Sequence, residues 1–196
     1  MITPENRIDN LRGIHPGTTA HIIGKGPSLD HLQPRHFADP TEPIFCVNQS
    51  ILVLESFHLP NPLYAVQQDA TGGERCWAQS GKMLIPTLFD RKRLYAGHPR
   101  KYFYSYDQFS LTRSTLSAIV ALKIARFTGC LAFRFVSFDA AVLGDPTEIG
   151  DWAYYPKCLG GGLPRFWRHY TTFGGPMEMA SRPNKFEWFI PERGTG

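Results

Sequence analysis

Short runs of apolar residues recur along the first 138 residues, separated by polar, helical or irregular segments. Runs of this kind, with turn residues between them, are typical of strands in a sheet that helices cover. The apolar runs predict strands at residues 20–23, 44–47, 64–66, 83–85, 102–104 and 132–136.

The longest regular pattern predicts a helix over residues 114–127. Apolar residues fall on nearly every side of it, which indicates a helix buried on most of its surface. Gly129 follows as a helix stop, and the strand at 132–136 comes next. Because a helix that leads into a strand is half of a crossover between parallel strands, we predict an α/β fold. We expect a single Rossmann-like domain with a mostly parallel sheet flanked by helices.

The chain divides into a predicted α/β core at residues 18–140 and a loop-rich C-terminal lid or arm at residues 141–196. Turns, aromatic residues and glycines dominate the second segment. A long irregular segment in a compact domain is usually a lid or a binding loop. A packing arm and contacts between the subunits of a homo-oligomer are the alternatives.

Composition fits one globular domain, because 196 residues with 42% hydrophobic and 19% charged positions can bury a full core. No apolar run approaches the ~20 residues of a membrane span, and the first residues lack the pattern of a signal peptide. We therefore expect a cytoplasmic protein without a membrane span. The cysteines show neither metal-ligand spacing nor a disulfide framework. Cys46 and Cys130 lie in apolar settings that favour core thiols.

The formal net charge is +4, and basic residues outnumber acidic ones most clearly between residues 82 and 113. Within this region, residues 91–101 combine arginines and lysines with a tyrosine, and further aromatic residues follow at 102–104. Such a mixture suits an anionic acceptor such as an acidic glycan or a nucleic acid. A solvated basic face is the alternative.

The apolar run at 20–23 ends in a turn that contains Gly24, Lys25, Gly26, Pro27 and Ser28. This sequence predicts a strand, a tight turn that depends on glycine, and a helix capped by the serine. Such an arrangement directs backbone N–H groups toward an anion. The glycine spacing matches neither the dinucleotide fingerprint nor the P-loop. The prediction is a phosphate site, and a strand-to-helix turn without a ligand is the alternative.

Three further polar segments follow predicted strands, at residues 48–49, 67–69 and 137–139. In open α/β sheets, ligands bind at the edge where the strands have their carboxyl ends. The amides of Asn48 and Gln49 can hydrogen-bond a base or a sugar, and the carboxylates of Asp69 and Asp139 can accept hydrogen bonds from hydroxyls. Together with the glycine turn, these segments predict a nucleotide pocket. Each segment by itself is also typical of an ordinary turn or cap.

The glycine turn, combined with Phe-Cys-Val-Asn-Gln at residues 45–49, resembles the bacterial sialyltransferases of glycosyltransferase family 42. Thr-Arg-Ser at residues 112–114 and Phe-Asp at 138–139 extend the resemblance, which covers roughly residues 18–140. The turn is also similar to that of the related Rossmann-like group that includes the archaeal hydroxymethylpterin pyrophosphokinase.

This resemblance implies a small transferase that uses a nucleotide-sugar donor, with CMP as a candidate carrier, and no tightly bound metal. It places the base and ribose near the glycine turn and Asn48, and Ser114 among the nucleotide-binding residues. In the sialyltransferases a tyrosine pair supports the donor phosphate and a later histidine deprotonates the acceptor hydroxyl. The candidates for these roles are Tyr154, Tyr155 and His169.

The chain departs from the family at two points. Lys25 stands where the family usually has asparagine, and the chain is shorter, so specificity for sialic acid does not follow. Two other functions stay open. One is a diphosphokinase-like transfer from ATP, which a lysine at this position would suit. The other is a catalytically silent nucleotide-binding or assembly protein.

We predict that His169 is the general base of a metal-independent transfer. His169→Ala should keep its affinity for the donor and lose ~10²-fold or more in turnover, because the base acts on the acceptor in the transition state. The parent rate should rise with pH through the ordinary histidine pKa and should be insensitive to a chelator. Steady-state kinetics across that pH range test both statements. Full activity in the variant would transfer the role to Asp139 or Asp69.

Overall fold

The computed structural model describes residues 2–68, 82–87, 97–112, 117–138 and 185–191. The strands are β1 (Thr19–Ile23), β2 (Ile44–Val47), β3 (Leu63–Val66), β4 (Lys82–Pro86), β5 (Lys101–Tyr104), β6 (Ala132–Val136) and β7 (Lys185–Phe189). The α-helices are α1 (Ile51–Ser56) and α2 (Ser117–Phe127). Single 3-10 turns cover Pro4–Asn6, Ile8–Leu11, Pro27–His31, Pro34–His36, Asn48–Ser50 and Asp107–Phe109.

All seven strands form one parallel sheet in the order β5-β4-β3-β2-β1-β6-β7. The chain proceeds outward from β1 through β2, β3 and β4 to β5, and then returns to the other side of β1 as β6. The direction of winding therefore reverses between β1 and β6. In open α/β sheets this reversal opens a crevice at the carboxyl ends of the two strands. The α/β Rossmann-like prediction is confirmed.

Each face of the sheet carries its own hydrophobic core. On one face, α2 packs against alternate residues of the central strands, such as Ile22, Phe45 and Phe135. On the other face, α1 and the turn at Pro27–His31 cover Ile23, Cys46 and their neighbours. Because both faces are covered, the central strands are buried along almost their whole length. This burial explains why uninterrupted apolar runs predict them correctly.

The predicted strands at 20–23, 44–47, 64–66, 83–85, 102–104 and 132–136 all form, and each prediction lies within one residue of the observed bounds. The predicted helix ends at Phe127 as expected, and Gly129 follows with a φ of +105°. Its expected start at residues 114–116 lies outside the described residues.

The strand β7 was not predicted. It belongs to the segment 141–196, which the sequence predicts to be irregular, yet it pairs along its whole length with β6. Alternation of charged and aromatic residues at 185–189 is the signal that could have revealed it. The rest of that segment is described only at residues 190–191.

The N-terminal segment covers the β5 side of the sheet. Arg7 forms a parallel bridge with Phe103 of β5, and Ile8 and Leu11 are buried with the α2 face of the core. The first residues are therefore part of the folded domain.

Cys46 and Cys130 are buried free thiols, and burial raises the pKa of both. This confirms the expectation that they are core residues. Within the described ranges, none of the helices has the length and apolar character needed to cross a bilayer.

One charged row interrupts the apolar sheet. His21 in the middle of β1 is fully buried, and its Nε2 lies 2.7 Å from Glu42 Oε2. Its register partner on β6 is Arg134, which is paired in turn with Glu187 of β7. Burial lowers the pKa of His21, and the hydrogen bond to Glu42 opposes this effect. The neutral imidazole is therefore the form that the fold favours.

We predict that acidification destabilises the protein through His21. Because its pKa is lowered in the folded state, the unfolded chain binds the proton more readily below about pH 6.5. The contribution of neutral His21 to the free energy of unfolding is present above that pH and is lost as the pH falls through it. Urea unfolding at several pH values should show a smaller acid loss for His21→Gln. The pKa values of His15 and His36 are lowered as well, so part of the dependence should persist.

The matched control is His31→Gln, which leaves the pair of His21 and Glu42 intact. Its stability should depend on pH as that of the parent protein does. An unchanged acid loss in His21→Gln would contradict the prediction.

Candidate functional site

The polar residues that follow the central strands meet at the carboxyl edge of the sheet. We call Lys25, Asn48, Gln49, Gln68 and Ser117 the carboxyl-edge cluster. Lys25 follows β1, Asn48 and Gln49 follow β2, Gln68 follows β3, and Ser117 is the first described residue of α2. The first four side chains are all buried. The expected gathering of strand-end polar residues at one edge is therefore observed for these positions.

Gly24 closes the seam between β1 and β6. Its N–H donates to Val136 O at 2.8 Å, and the N–H of Gly26 donates to Ser137 O at 2.8 Å. A Cβ at position 24 would lie 2.5 Å from Ser137 O and 3.0 Å from the Phe138 ring. No side chain fits at this point without a shift of backbone. Glycine is required here for contact between two strands of the chain itself.

The glycine turn differs from the expected cradle in two respects. Gly26 has φ −67° and ψ 164°, which any L-residue can adopt, so its backbone conformation does not depend on glycine. Ser28 is not the cap of the following turn. Pro27 takes the first position of Pro27–His31, which makes Gly26 the cap and places Ser28 inside the turn. Since this element is one short 3-10 turn, the prediction of a serine-capped helix was wrong.

Lys25 brings a positive charge into this edge. Its side chain is only 8% exposed, and its Nζ donates to Gln49 Oε1 at 3.0 Å. Gln49 is itself 4% exposed. A buried ammonium is costly unless polar groups or a counter-charge surround it. The amide of Gln49 thus fixes the position of a cation beside the β1–β6 seam.

Asn48 has a structural role in addition to any binding role. Its φ is +51°, in the left-handed region that asparagine tolerates better than most residues. Its backbone O accepts from Gln67 Nε2 at 3.0 Å, and its Oδ1 accepts from the N–H of Gln68 at 3.4 Å. Ser50, two residues on, donates to Ile23 O and Val47 O, both at 3.1 Å. These bonds tie the ends of β1, β2 and β3 together.

The cluster continues to the amino end of α2. Ser117 Oγ donates to Gln68 Oε1 at 2.7 Å. Sequence reasoning did not select Ser117, Ser50 or Gln68 as individual site residues, because nothing local distinguishes them from ordinary strand-end and helix-start residues. At the seam, Ser137 has a φ of +57°, and its buried Oγ has no hydrogen-bond partner among the described residues. Unsatisfied buried hydroxyls of this kind are uncommon in folded proteins.

Several predicted site residues lie outside the described residues, namely Asp69, Ser114, Asp139, Tyr154, Tyr155 and His169. Their predicted roles stay predictions. Within the described ranges, no group of three or more His, Cys, Asp or Glu side chains is placed to hold a metal ion.

The described part of the basic region lies away from the carboxyl-edge cluster. Lys82 begins β4, and Arg100 and Lys101 lie at the start of β5, all at the amino edge of the sheet. A four-residue strand such as β3 spans roughly 13 Å. These three cations therefore lie across the sheet from Lys25. The remainder of the predicted acceptor region, residues 91–96, lies outside the described residues.

Neither a family model nor a curated protein sequence matches this chain.

We predict that Gly24 is required for stability. Gly24→Asn should lower the free energy of unfolding by about 2 kcal/mol or more, because its Cβ meets backbone at the β1–β6 seam. Gly13→Asn is the matched control, since Gly13 has a φ of +67° that asparagine tolerates and open space around a Cβ. Denaturant unfolding of both variants measures the difference. Equal stability of the two variants would contradict the role assigned to the seam.

Proposed function

We propose that the protein is a small transferase that binds a nucleotide-activated donor at the carboxyl edge of its sheet. The observation that carries this proposal is a buried lysine, held by a glutamine amide, beside the point where the sheet reverses its winding. That point is where α/β sheets bind nucleotides. The resemblance of residues 18–140 to sialyltransferases supports a glycosyl donor in particular.

Lys25 suits the phosphate part of such a donor. An ammonium that is largely removed from water interacts more strongly with an anion than an exposed one does, because the surrounding dielectric is lower. Its hydrogen bond to Gln49 limits its rotamers before any ligand arrives. Less side-chain entropy is then lost on binding.

The amides suit the base and ribose. Asn48, Gln49 and Gln68 each offer both donors and acceptors, which is what the edge of a base or a sugar hydroxyl requires. Hydrogen bonds with Gln67 and Ser117 hold this group in place. A small movement of the donor would break hydrogen bonds to these amides. The cluster therefore favours one orientation of the nucleotide.

The proposed reaction is a displacement at the anomeric carbon of the donor sugar. An acceptor hydroxyl attacks this carbon, its proton passes to His169, and the bond to the nucleotide phosphate breaks with the electron pair going to the phosphate oxygen. Lys25 stabilises the charge on that leaving phosphate. Tyr154 and Tyr155 are the proposed further phosphate contacts. The roles of Tyr154, Tyr155 and His169 are proposed from the resemblance to the sialyltransferases.

The acceptor is proposed to be anionic, an acidic glycan or a nucleic acid. The cations at the start of β4 and β5 lie at the opposite edge from the proposed donor site. A polyanion that contacted both these cations at the amino edge and the donor site at the carboxyl edge would have to extend across the sheet.

The binding test is calorimetry with CMP, UMP, AMP, GMP and ATP, followed by nucleotide release from the corresponding nucleotide sugars. Binding of a nucleotide with release from its sugar supports the proposal. Turnover of ATP that requires magnesium would favour diphosphoryl transfer instead. Tight binding without any turnover would favour the catalytically silent protein, and absence of binding to every nucleotide would contradict all three.

We predict that Lys25→Gln weakens the binding of the tightest-binding nucleotide of this panel by at least ~10-fold, because a charge-assisted hydrogen bond to phosphate is lost. Affinity for the nucleoside without phosphate should change much less. Lys185→Gln removes an exposed lysine at the start of β7 and is the matched control. A thermal unfolding curve of each variant checks the fold. Unchanged affinity of folded Lys25→Gln for that nucleotide would place the phosphate elsewhere.

A further inference from the structure

One serine at the β1–β6 seam carries two separate energetic costs. Ser137 has a φ of +57°, in the left-handed region where the Cβ of a serine is crowded by its own backbone. The residue is fully buried, and its Oγ has no hydrogen-bond partner in the part of the chain that the structure describes. A buried hydroxyl without a partner destabilises the fold, because its hydration is lost and not replaced.

A glycine at position 137 would remove both costs. Glycine adopts a positive φ without a Cβ penalty, and it has no hydroxyl to satisfy. The backbone bonds would survive the change, since the N–H of Ser137 donates to Phe189 O at 3.1 Å and its O accepts from the N–H of Gly26 at 2.8 Å. The fold alone therefore gives no reason for a serine here. Local strain of this kind is concentrated at binding and active sites.

Ser110 has the same backbone conformation without the buried hydroxyl. Its φ is +53°, and it follows the turn at Asp107–Phe109, beyond the end of β5. Because Ser110 is exposed, water can hydrogen-bond its hydroxyl. The buried hydroxyl thus distinguishes Ser137 from a serine that merely ends a turn.

The place of Ser137 in the sheet indicates what its hydroxyl binds. The residue directly follows β6, one of the two strands between which the winding of the sheet reverses. The hydrogen bond from Gly26 joins it to the turn that carries Lys25. Lys25 and Gln49 are themselves almost completely buried, so Ser137 shares the burial of the proposed donor site. A phosphate beside Lys25 would therefore lie at the same seam, and a hydroxyl can donate to its oxygens.

We propose that Ser137 Oγ donates a hydrogen bond to a phosphate oxygen of the donor from the β6 side of the seam, while Lys25 binds the same phosphate from the β1 side. This assignment rests on the proposed function of the carboxyl edge. A hydrogen bond to an anionic oxygen is stronger than one to a neutral acceptor. Binding thus gives the hydroxyl a partner and offsets the strain that the free protein carries.

Ser137→Gly should act in opposite directions on stability and on binding. The midpoint of thermal unfolding without ligand should rise by roughly 2–4 °C, because both costs are removed. Affinity for the tightest-binding nucleotide among CMP, UMP, AMP, GMP and ATP should fall about tenfold. Affinity for the matching nucleoside should change much less, because it has no phosphate. Thermal unfolding and calorimetry on the full chain measure these effects.

Two further variants separate the hydroxyl from the backbone. Ser137→Ala keeps the Cβ, and with it the backbone strain, but removes the hydroxyl, so it should lose the same affinity as Ser137→Gly. Ser110→Gly is the matched control, because it relieves a similar backbone strain on the β5 side of the sheet. It should raise the unfolding midpoint and leave nucleotide affinity unchanged.

Failure of this assignment can be told apart from failure of the donor site. A parent protein that binds nucleotide, with unchanged affinity in Ser137→Gly and Ser137→Ala, would overturn the assignment alone. An equal loss for nucleoside and nucleotide, or a loss in Ser137→Gly that Ser137→Ala does not share, would do the same. A lower unfolding midpoint in Ser137→Gly would show that the fold itself needs the serine, and would also overturn it. Absence of nucleotide binding by the parent would overturn both proposals. If Ser137→Gly does not fold, the affinities of Ser137→Ala decide.

Discussion

The architecture depends on a close approach of backbone at the end of β1. Position 24 leaves no room for a Cβ because Ser137 O occupies that space, and the N–H groups of Gly24 and Gly26 bond to the end of β6. This contact fixes the two strands between which the winding of the sheet reverses. Lys25, between these two glycines, takes its position from this seam. The glycine that looks like a ligand-binding feature in the sequence is first a packing requirement of the fold.

Around that seam, polar side chains are ordered by one another. Lys25 bonds to Gln49, Asn48 bonds to the backbone of Gln68, and the side chain of Gln68 bonds to Ser117. Networks of this kind rigidify a site when their members are satisfied. The carboxyl edge is thus held in shape before any ligand binds.

Much of the sheet could be predicted from sequence because strands buried on both faces leave uninterrupted apolar runs, as at 44–47. β7 was not predicted because it has no uninterrupted apolar run and follows a glycine-rich segment. The edge of the candidate site was predictable, since Lys25 and Asn48 directly follow strands. Its hydrogen bonds were not, because Lys25 and Gln49 are 24 positions apart and Gln68 and Ser117 are 49 apart. The serine cap was wrong because the turn begins at Pro27, which puts Gly26 and not Ser28 at the cap position.

The bridge between Arg7 and Phe103 has a consequence for self-association. Among the described residues, β5 is the last strand on its side of the sheet. The terminal strand of a sheet can offer unpaired backbone groups to a strand of another molecule. Arg7 occupies part of that margin, while Ile8 and Leu11 anchor the segment in the core. The N-terminal segment therefore occupies part of the edge that a strand of another molecule would need in order to pair with β5.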